Sequence, residues 1–363
     1  MGYALPSCLE TPIWNRVSLQ RIAIFTAAPR WPLARQTAGR SLQWGDCRFV
    51  INPRGGRFDG CIVYDALLSE VAFEVPPDRV LLVTGEPPSI KSYNEQFAAQ
   101  FSAVVTCHTD LPHPRLILMP QGQPWIAGFD KNASDLGYAA KDLDAFLNET
   151  QPEKTRLISV VISDKAITHA HKARRTFVAA LQKHFGSELH VFGRGVRDVG
   201  DKADALRPFK YHIALENSSF FDYWTEKISD PFLYWSLPFY WGCPNIGQYF
   251  PDGSFININI YDINSSISTI EAAINSNIYS KSLPALTAAR RRVLLEYNLF
   301  AAGAKLLAPP SEQRASVVRL RPEQVFRDRW TRKVRHRLKR ALPRKWRKTK
   351  VPQLGAPLPE GGE

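Results

Sequence analysis

Short apolar runs, separated by polar stretches that are compatible with helices, recur along most of this chain. Several runs are continuous rather than alternating, which is typical of strands buried on both faces of a parallel sheet. The pattern therefore predicts an α/β fold built from βα units. In the first half the predicted strands are Ile22–Thr26, Cys47–Ile51, Cys61–Tyr64, Val80–Val83, Ala103–Thr106 and Leu116–Met119.

A second alternation follows the polar stretch Asp130–Thr155, which we interpret as a link between domains. It predicts strands at Leu157–Ile162, Leu189–Phe192, Tyr211–Leu215 and Leu237–Trp241. It also predicts a helix from about Trp224 and a helix at 171–185 whose apolar stripe is Ala173, Phe177, Ala180, Leu181 and His184. Two βα domains in series predict twin Rossmann-like domains that face a cleft, at 1–150 and 151–306.

The remaining residues, 307–363, are predicted to contain a linker at Leu307–Ser316, a basic amphipathic helix and a disordered end. Most of the net charge of +13 lies here, because Arg327–Lys350 holds thirteen Lys and Arg residues against one Asp. Apolar residues recur every four positions at Phe326, Trp330, Val334, Leu338 and Leu342. One apolar and one cationic helix face favour binding to an anionic membrane surface through 326–350, although a nucleic-acid arm or a solvated tail would have similar charge.

Composition points to an intracellular protein. The five cysteines form no CxxC pair, and their odd number argues against a disulfide framework, so a reducing compartment is expected. No apolar run is long enough to span a membrane, and the N-terminus lacks the pattern of a signal peptide. Zinc is not expected at His169-x-His171, which lacks further ligands nearby.

Cations stand at the start of two predicted helices, where the helix dipole disfavours them by roughly 0.3–1 kcal/mol each. One helix opens with His171–Arg175, and the other opens with Glu226–Lys227 after Asp222 or Thr225 as N-cap. A bound anion would offset this conflict, and backbone N–H groups with a Lys or Arg suit a diphosphate. Lys and Arg side chains that bend away into solvent would also relieve the conflict with the helix dipole.

The strand Tyr211–Leu215 ends in Glu216-Asn217-Ser218, at the sheet edge where α/β proteins bind ligands. Asn217 and Ser218 could donate to phosphate or simply cap the turn. Glu226 could accept hydrogen bonds from a ribose diol, or form a surface ion pair.

The segment 211–262 resembles the signature of the α-1,3/4-fucosyltransferases of glycosyltransferase family 10. The resemblance is carried by ENS at 216–218, DYWTEK at 222–227, SLPFYWG at 236–242 and FPDGSFININ at 250–259. It implies the GT-B architecture, a metal-independent inverting transfer of fucose from GDP-fucose, and no cofactor. Two departures are Leu215, where the family has an aromatic residue, and Pro231, which should kink or shorten its helix.

The resemblance also implies donor-site roles. Glu226 aligns with the residue on the nucleotide ribose, and Lys227 aligns with the residue that neutralises the diphosphate. Asn217 and Tyr223 align with donor-pocket residues. Arg174 aligns with a phosphate-binding arginine, with Arg175 as the alternative.

Glu86 is the candidate general base for the acceptor hydroxyl. It follows the predicted strand Val80–Val83 and precedes Pro87 and Pro88, in a segment that resembles the family's acceptor-side loop. An ordinary loop glutamate is the alternative reading, and Glu95 is a weaker candidate.

The sequence thus predicts a fucosyltransferase on the cytoplasmic face of a bacterial inner membrane. Its expected acceptor is a glycan containing N-acetylglucosamine, such as a lipopolysaccharide chain, and no nucleic-acid partner is expected. A GT-B enzyme that uses another GDP-sugar is one alternative. An inactive body whose basic tail binds membrane or nucleic acid is the other.

Overall fold

The computed structural model of the protein describes residues 19–28, 30–122, 124–132, 140–162, 169–193 and 195–327. The strands in these ranges are β1 Gln20–Thr26, β2 Gln43–Trp44, β3 Cys47–Ile51, β4 Gly60–Tyr64, β5 Val71–Val75, β6 Val80–Val83, β7 Ala103–Thr106, β8 Leu116–Leu118, β9 Arg156–Val161, β10 Leu189–Phe192, β11 Phe209–Leu215, β12 Leu237–Trp241, β13 Ile256–Asn257 and β14 Ser316–Leu320. The α-helices are α1 Glu95–Ala98, α2 Leu143–Leu147, α3 His169–Phe185, α4 Glu226–Leu233, α5 Ile263–Asn275, α6 Ile278–Leu295 and α7 Leu299–Leu306.

Two separate, largely parallel sheets organise the chain. The first has the strand order β2-β3-β1-β4-β6-β7-β8, in which only β2 runs antiparallel to its neighbour. The second has the order β10-β9-β11-β12-β13 and is parallel throughout. The predicted α/β class with two Rossmann-like sheets is therefore confirmed.

The pairing register of the strands determines which residues lie next to each other where the strands of each sheet end. In the first sheet Tyr64 at the end of β4 pairs with Val83 at the end of β6. In the second sheet Leu215 at the end of β11 pairs with Trp241 at the end of β12. Parallel strands end at the same edge, so the residues after these four lie at the carboxyl edges, where α/β folds place their sites.

The segment that the sequence predicts to link the two domains contains regular structure, whereas the predicted linker Leu307–Ser316 overlaps a strand only at Ser316. The stretch Asp130–Thr155 includes α2, whose Phe146 is fully buried. Beyond residue 307 the chain forms β14, which pairs antiparallel with β5 over Val71–Val75. The prediction missed β5 and β14 because they form a small two-stranded sheet outside the two main ones.

The apolar cores show where individual segments pack. Leu299 and Phe300 of α7 are buried against the first sheet, with Phe49 and Phe300 rings in edge contact at 5.1 Å. Trp125 and Phe146 are buried in the core of the second sheet. Each sheet is therefore covered partly by residues from the far side of the boundary predicted at 150, and the boundaries at 150 and 306 stay predictions.

Helix α3 begins at His169, two residues earlier than predicted, and its buried face differs from the predicted stripe. Arg174, Phe177, Val178 and Leu181 are buried, whereas His184 is exposed and contacts Glu271 at 2.8 Å. Four free, buried cysteines lie in the described ranges: Cys47, Cys61, Cys107 and Cys243. The predicted basic helix, apart from Phe326 and Arg327, and the predicted disordered end lie outside the described residues.

Candidate functional site

A buried carboxylate organises the edge of the second sheet. Glu216 follows β11 directly and is fully buried. Its carboxylate accepts hydrogen bonds from the Thr225 amide at 2.8 Å and the Thr225 hydroxyl at 2.7 Å. Burial raises the pKa of Glu216, and the Lys227 ammonium opposes that rise. The contact ties the end of β11 to the residue that caps α4.

Helix α4 starts at this corner. Thr225 is the N-cap of α4 and was one of the two residues predicted for that position. The Thr225 hydroxyl accepts a hydrogen bond from the Lys227 amide at 3.3 Å. The helix ends at Leu233, two residues after Pro231, which agrees with the predicted shortening.

Lys227 projects among oxygen atoms at the first turn of α4. Its Nζ lies 3.1 Å from the Thr225 hydroxyl, 3.1 Å from Glu226 Oε1 and 3.6 Å from Glu216 Oε2. Burial alone would lower the pKa of Lys227, but the Glu226 and Glu216 carboxylates outweigh it, so that the pKa is raised. The ammonium is therefore charged at any working pH, and 23% of its side chain remains exposed.

Glu226 is ionised for a related reason. Burial acts to raise its pKa, but the Lys227 and Lys202 ammonium groups prevail and lower the pKa to about 2. Lys202 Nζ donates to the Glu226 carbonyl at 2.9 Å and to the Asp230 carboxylate at 3.1 Å. Lys202 therefore holds the first turn of α4 in place through its bonds to the Glu226 carbonyl and the Asp230 carboxylate.

Arg174 reaches the same corner from α3, although it lies in the second turn of that helix and not in the first turn as predicted. Its Nη1 donates to the carbonyls of Leu215 and Glu216, both at 3.1 Å, and to Asn217 Oδ1 at 2.8 Å. Its Nε is buried and has no hydrogen-bond partner. Burial lowers the pKa of Arg174. Arg175 is exposed.

Asn217 and Tyr223 complete this side of the site. Asn217 is half-buried and held by Arg174, while Tyr223 is only 1% exposed. Burial raises the pKa of the Tyr223 phenol, and the Glu216, Glu86 and Glu226 carboxylates raise it further. The Tyr223 hydroxyl therefore keeps its proton and is available as a donor.

Glu86 approaches from the first sheet, three residues beyond the end of β6. It is half-buried, and burial raises its pKa while Lys227 of the second sheet opposes that rise. The loop that carries it also touches the second sheet directly, because the hydroxyls of Ser89 and Ser218 are hydrogen-bonded. The weaker candidate Glu95 is exposed in α1.

The six residues singled out from the sequence therefore meet at one place, where the carboxyl edges of the two sheets face each other. The sequence did not reveal the role of Glu216, nor those of Lys202 and Asp230. Glu216 stood in a quoted motif, whereas Lys202 and Asp230 become neighbours only through the fold.

The acidic residues at the start of α2 have partners within the protein. Asp142 caps α2 and pairs with Arg40 at 3.0 Å, and Asp144 accepts from the Gly39 amide at 2.6 Å. Within the described ranges, no three His, Cys, Asp or Glu side chains cluster in a way that could hold a metal ion. The side chains of His169 and His171 are outside the described part.

Cations and carboxylates between the carboxyl edges of two parallel sheets form the kind of site at which α/β folds bind ligands. Residues 151–278 match the model of glycosyltransferase family 10 (fucosyltransferase), C-terminal part. The resemblance predicted from the motifs is thereby confirmed over this segment, which contains Arg174, Asn217, Tyr223, Glu226 and Lys227.

Curated relatives cover less of the chain. An alpha-(1,3)-fucosyltransferase, FucT, of Helicobacter pylori is 32% identical over 74 residues, which is 20% of this chain and 15% of the relative. The human 4-galactosyl-N-acetylglucosaminide 3-alpha-L-fucosyltransferase 9 is 29% identical over 146 residues, 39% of each protein. The chain thus spans well under half the length of these relatives.

Among solved structures, one titled as an alpha1,3-fucosyltransferase with GDP covers 77% of this chain and 92% of its own length. It is 19% identical, with a TM-score of 0.43.

Proposed function

We propose that this protein is an inverting glycosyltransferase that transfers L-fucose from GDP-fucose to a hydroxyl of a glycan acceptor. The observation that carries the proposal is the meeting of two groups of residues: Lys227 and Arg174 at the edge of the second sheet, and Glu86 at the edge of the first. The first group suits a leaving diphosphate, and the second suits proton removal.

The diphosphate would lie at the N-terminus of α4. The helix dipole and the Lys227 ammonium both attract an anion there. The buried Arg174 Nε has no partner, and an unmade hydrogen bond of this kind costs about 1–3 kcal/mol. A phosphate oxygen would accept from it. The anion-binding reading of the sequence is thus supported by an unsatisfied donor and not only by charge.

The nucleoside would be recognised beside the phosphates. Glu226 is ionised and half-exposed, so it can accept hydrogen bonds from both ribose hydroxyls once Lys227 turns to the diphosphate. Asn217 and the protonated Tyr223 hydroxyl supply further polar contacts in the donor pocket.

The reaction is a single displacement. The Glu86 carboxylate takes the proton of the acceptor hydroxyl, whose oxygen forms a bond to C1 of fucose from the face opposite the phosphate. The C1–O bond to the diphosphate breaks, and its electron pair stays on GDP. Lys227 and Arg174 stabilise the negative charge that develops there. We propose that no metal ion is required, because these two cations occupy the role that a metal has elsewhere.

The acceptor we propose is an N-acetylglucosamine-containing glycan under construction on a lipid, such as a lipopolysaccharide chain. The tail supports this choice. Phe326 packs on the core of the first sheet and Arg327 pairs with Glu323 at 3.6 Å, so the basic segment begins on the acceptor side. No helix in the described part of the chain has the length and apolarity to cross a bilayer. Attachment through 326–350 to the cytoplasmic face would be peripheral.

A donor panel tests the proposal. The protein is incubated with an N-acetylglucosamine-containing acceptor and GDP-fucose, GDP-mannose or UDP-N-acetylglucosamine, in the presence of a chelator. Transfer from GDP-fucose alone is expected. Transfer from another GDP-sugar in its place would identify a different donor on the same fold. GDP binding without turnover on any acceptor would favour the inactive body, and absence of all nucleotide binding would overturn the proposal.

A further inference from the structure

We infer that Asp65 is a positioning residue that fixes the turn carrying Glu86, and so orients the carboxylate that removes the acceptor proton. This inference rests on the proposed role of Glu86. It concerns a residue that lies in another strand's loop, 21 positions earlier in the chain.

Asp65 stands in a strained conformation immediately after β4. Its φ is +65°, in the left-handed region that non-glycine residues adopt only rarely. Its amide donates to the Val83 carbonyl at the end of β6 at 2.7 Å. Strain of this kind persists where surrounding contacts determine it, and it is commonest at functional sites.

The Asp65 carboxylate collects donors from the Glu86 loop. Its Oδ1 accepts from the Gly85 amide at 3.2 Å, from Lys91 Nζ at 2.9 Å and from the Tyr93 hydroxyl. Lys91 Nζ also donates to the Asp65 carbonyl at 3.0 Å. The Tyr93 oxygen in turn accepts from the Gly85 amide at 2.9 Å and lies 3.5 Å from the Glu86 amide. These contacts therefore fix the turn at Gly85, the residue before the proposed base.

Gly85 shows how close this contact is. A methyl group there would lie 3.0 Å from both Cβ and Cγ of Asp65 and 3.1 Å from its Oδ1. Distances this short are tighter than ordinary carbon contacts, so glycine lets the Glu86 backbone rest directly on Asp65.

The other side of Glu86 is held by His108, which follows β7. His108 Nε2 lies 2.8 Å from the Glu86 carbonyl, and the His108 amide donates to the Thr106 hydroxyl at 3.0 Å. Burial lowers the pKa of His108, so its ring is neutral near pH 7 and donates through Nε2. The His108 and Tyr93 rings are in edge contact at 5.2 Å. Glu86 therefore has a fixed backbone and a free carboxylate.

The charges that face Glu86 come from both sheets. Burial is the main reason that its pKa is raised; Lys227 and Lys91 act against this, while Asp65 and Glu226 add to it. The phenols of Tyr64 and Tyr223 also face this group, and burial keeps both protonated by raising their pKa. The charge of Asp65 therefore raises the pKa of Glu86, which a purely structural residue would not do.

The test is the pH dependence of kcat/KM for transfer from GDP-fucose by Asp65→Asn and Lys91→Met. Asn keeps an oxygen for the Gly85 amide but removes the charge. The acidic limb should move down in pH in the Asn variant, by roughly 0.5 unit, and should move up in Lys91→Met. We also expect kcat to fall about tenfold in Asp65→Asn, with the KM for GDP-fucose unchanged. Glu95→Gln, which removes an exposed carboxylate of α1, is the control and should leave the limb in place.

Glu86→Gln separates the two claims. If it transfers fucose at the wild-type rate, the proposed role of Glu86 has failed and the inference falls with it. If it is inactive while Asp65→Asn keeps the wild-type limb and kcat, only the inference on Asp65 is overturned. Should Asp65→Asn fail to fold, Tyr93→Phe decides: a lower kcat with an unchanged donor KM supports the inference, and a wild-type kcat overturns it.

Discussion

Glu216 lies directly against Gly242, so closely that a methyl group at Gly242 would be 2.4 Å from Cγ of Glu216. The two residues follow neighbouring parallel strands, β11 and β12, whose last residues are in register. Glycine at the end of β12 is what allows a fully buried carboxylate to turn inward and accept from Thr225. The start of α4, and with it Lys227, depends on this contact.

Gly242→Ala should therefore disturb the donor site indirectly, by displacing Glu216. The Cβ would also come within 2.5 Å of the Tyr240 hydroxyl, so that Glu216 must shift. We expect the free energy of unfolding to fall by about 1–3 kcal/mol and GDP binding to weaken. Chemical denaturation and calorimetry measure the two effects. Gly247→Ala, where nothing lies within 4 Å, is the matched control, and equal behaviour of the two variants would refute the argument.

Glu86→Gln should bind GDP-fucose as the wild type does but lose transfer by about 100-fold or more, because an amide cannot accept the acceptor proton. Steady-state kinetics with a donor-binding measurement checks this. Equal transfer by the variant would place the base elsewhere.

The wild-type rate should depend on pH in a defined direction. Burial raises the pKa of Glu86 above its ordinary value of 4.5, and only the ionised form can act as a base. The rate should therefore rise with pH through that raised pKa, and the acidic limb of kcat/KM should lie above pH 4.5. A limb at or below 4.5 would show that Glu86 is not the group that titrates.

Arg174→Ala and Arg175→Ala should differ, although the two residues are adjacent. Arg174 is buried at the corner with an unpaired Nε, whereas Arg175 is exposed on the other side of α3. We expect the first variant to lower GDP affinity about tenfold or more and the second to leave it unchanged. Isothermal titration resolves the difference. A loss confined to Arg175→Ala would reverse the assignment.

Truncation after Arg327 tests the tail. It should abolish cosedimentation with vesicles that contain an anionic phospholipid, while GDP binding stays intact because the donor site is far along the chain from the cut. Continued vesicle binding would exclude the tail as the anchor. If the truncation abolishes a salt-sensitive binding to DNA and not a binding to vesicles, the nucleic-acid alternative is supported.

How much of the fold the sequence predicts depends on how each strand is buried. Cys47–Ile51, Val80–Val83, Ala103–Thr106 and Leu189–Phe192 were predicted with their observed bounds, because strands inside parallel sheets are continuous apolar runs. β5 and β14 gave no such run. They form a two-stranded ribbon at the surface, and their pairing joins residues more than two hundred positions apart.

The site divides in the same way. Lys227 was predicted because a cation at a helix start is a local anomaly, and Glu226 because a carboxylate at that place could accept hydrogen bonds from a ribose diol. Arg35 gave no local signal: it is 2% exposed and donates to the carbonyls of Gly128 and Ala127 at 2.9 and 3.2 Å, contacts that only the fold creates. The same holds for the left-handed Asp65 and for the Lys202–Asp230 pair, whose two residues lie in separate elements of the chain.

The most direct test of the account is isothermal titration of GDP into the wild type, Lys227→Ala and Lys172→Ala, with a chelator present. Lys172 is an exposed cation in the first turn of α3, so its variant controls for net charge. We predict one GDP per chain for the wild type and for Lys172→Ala, and a loss of roughly 2–5 kcal/mol for Lys227→Ala. Equal affinity of all three proteins for GDP would contradict the assignment of the diphosphate to the start of α4.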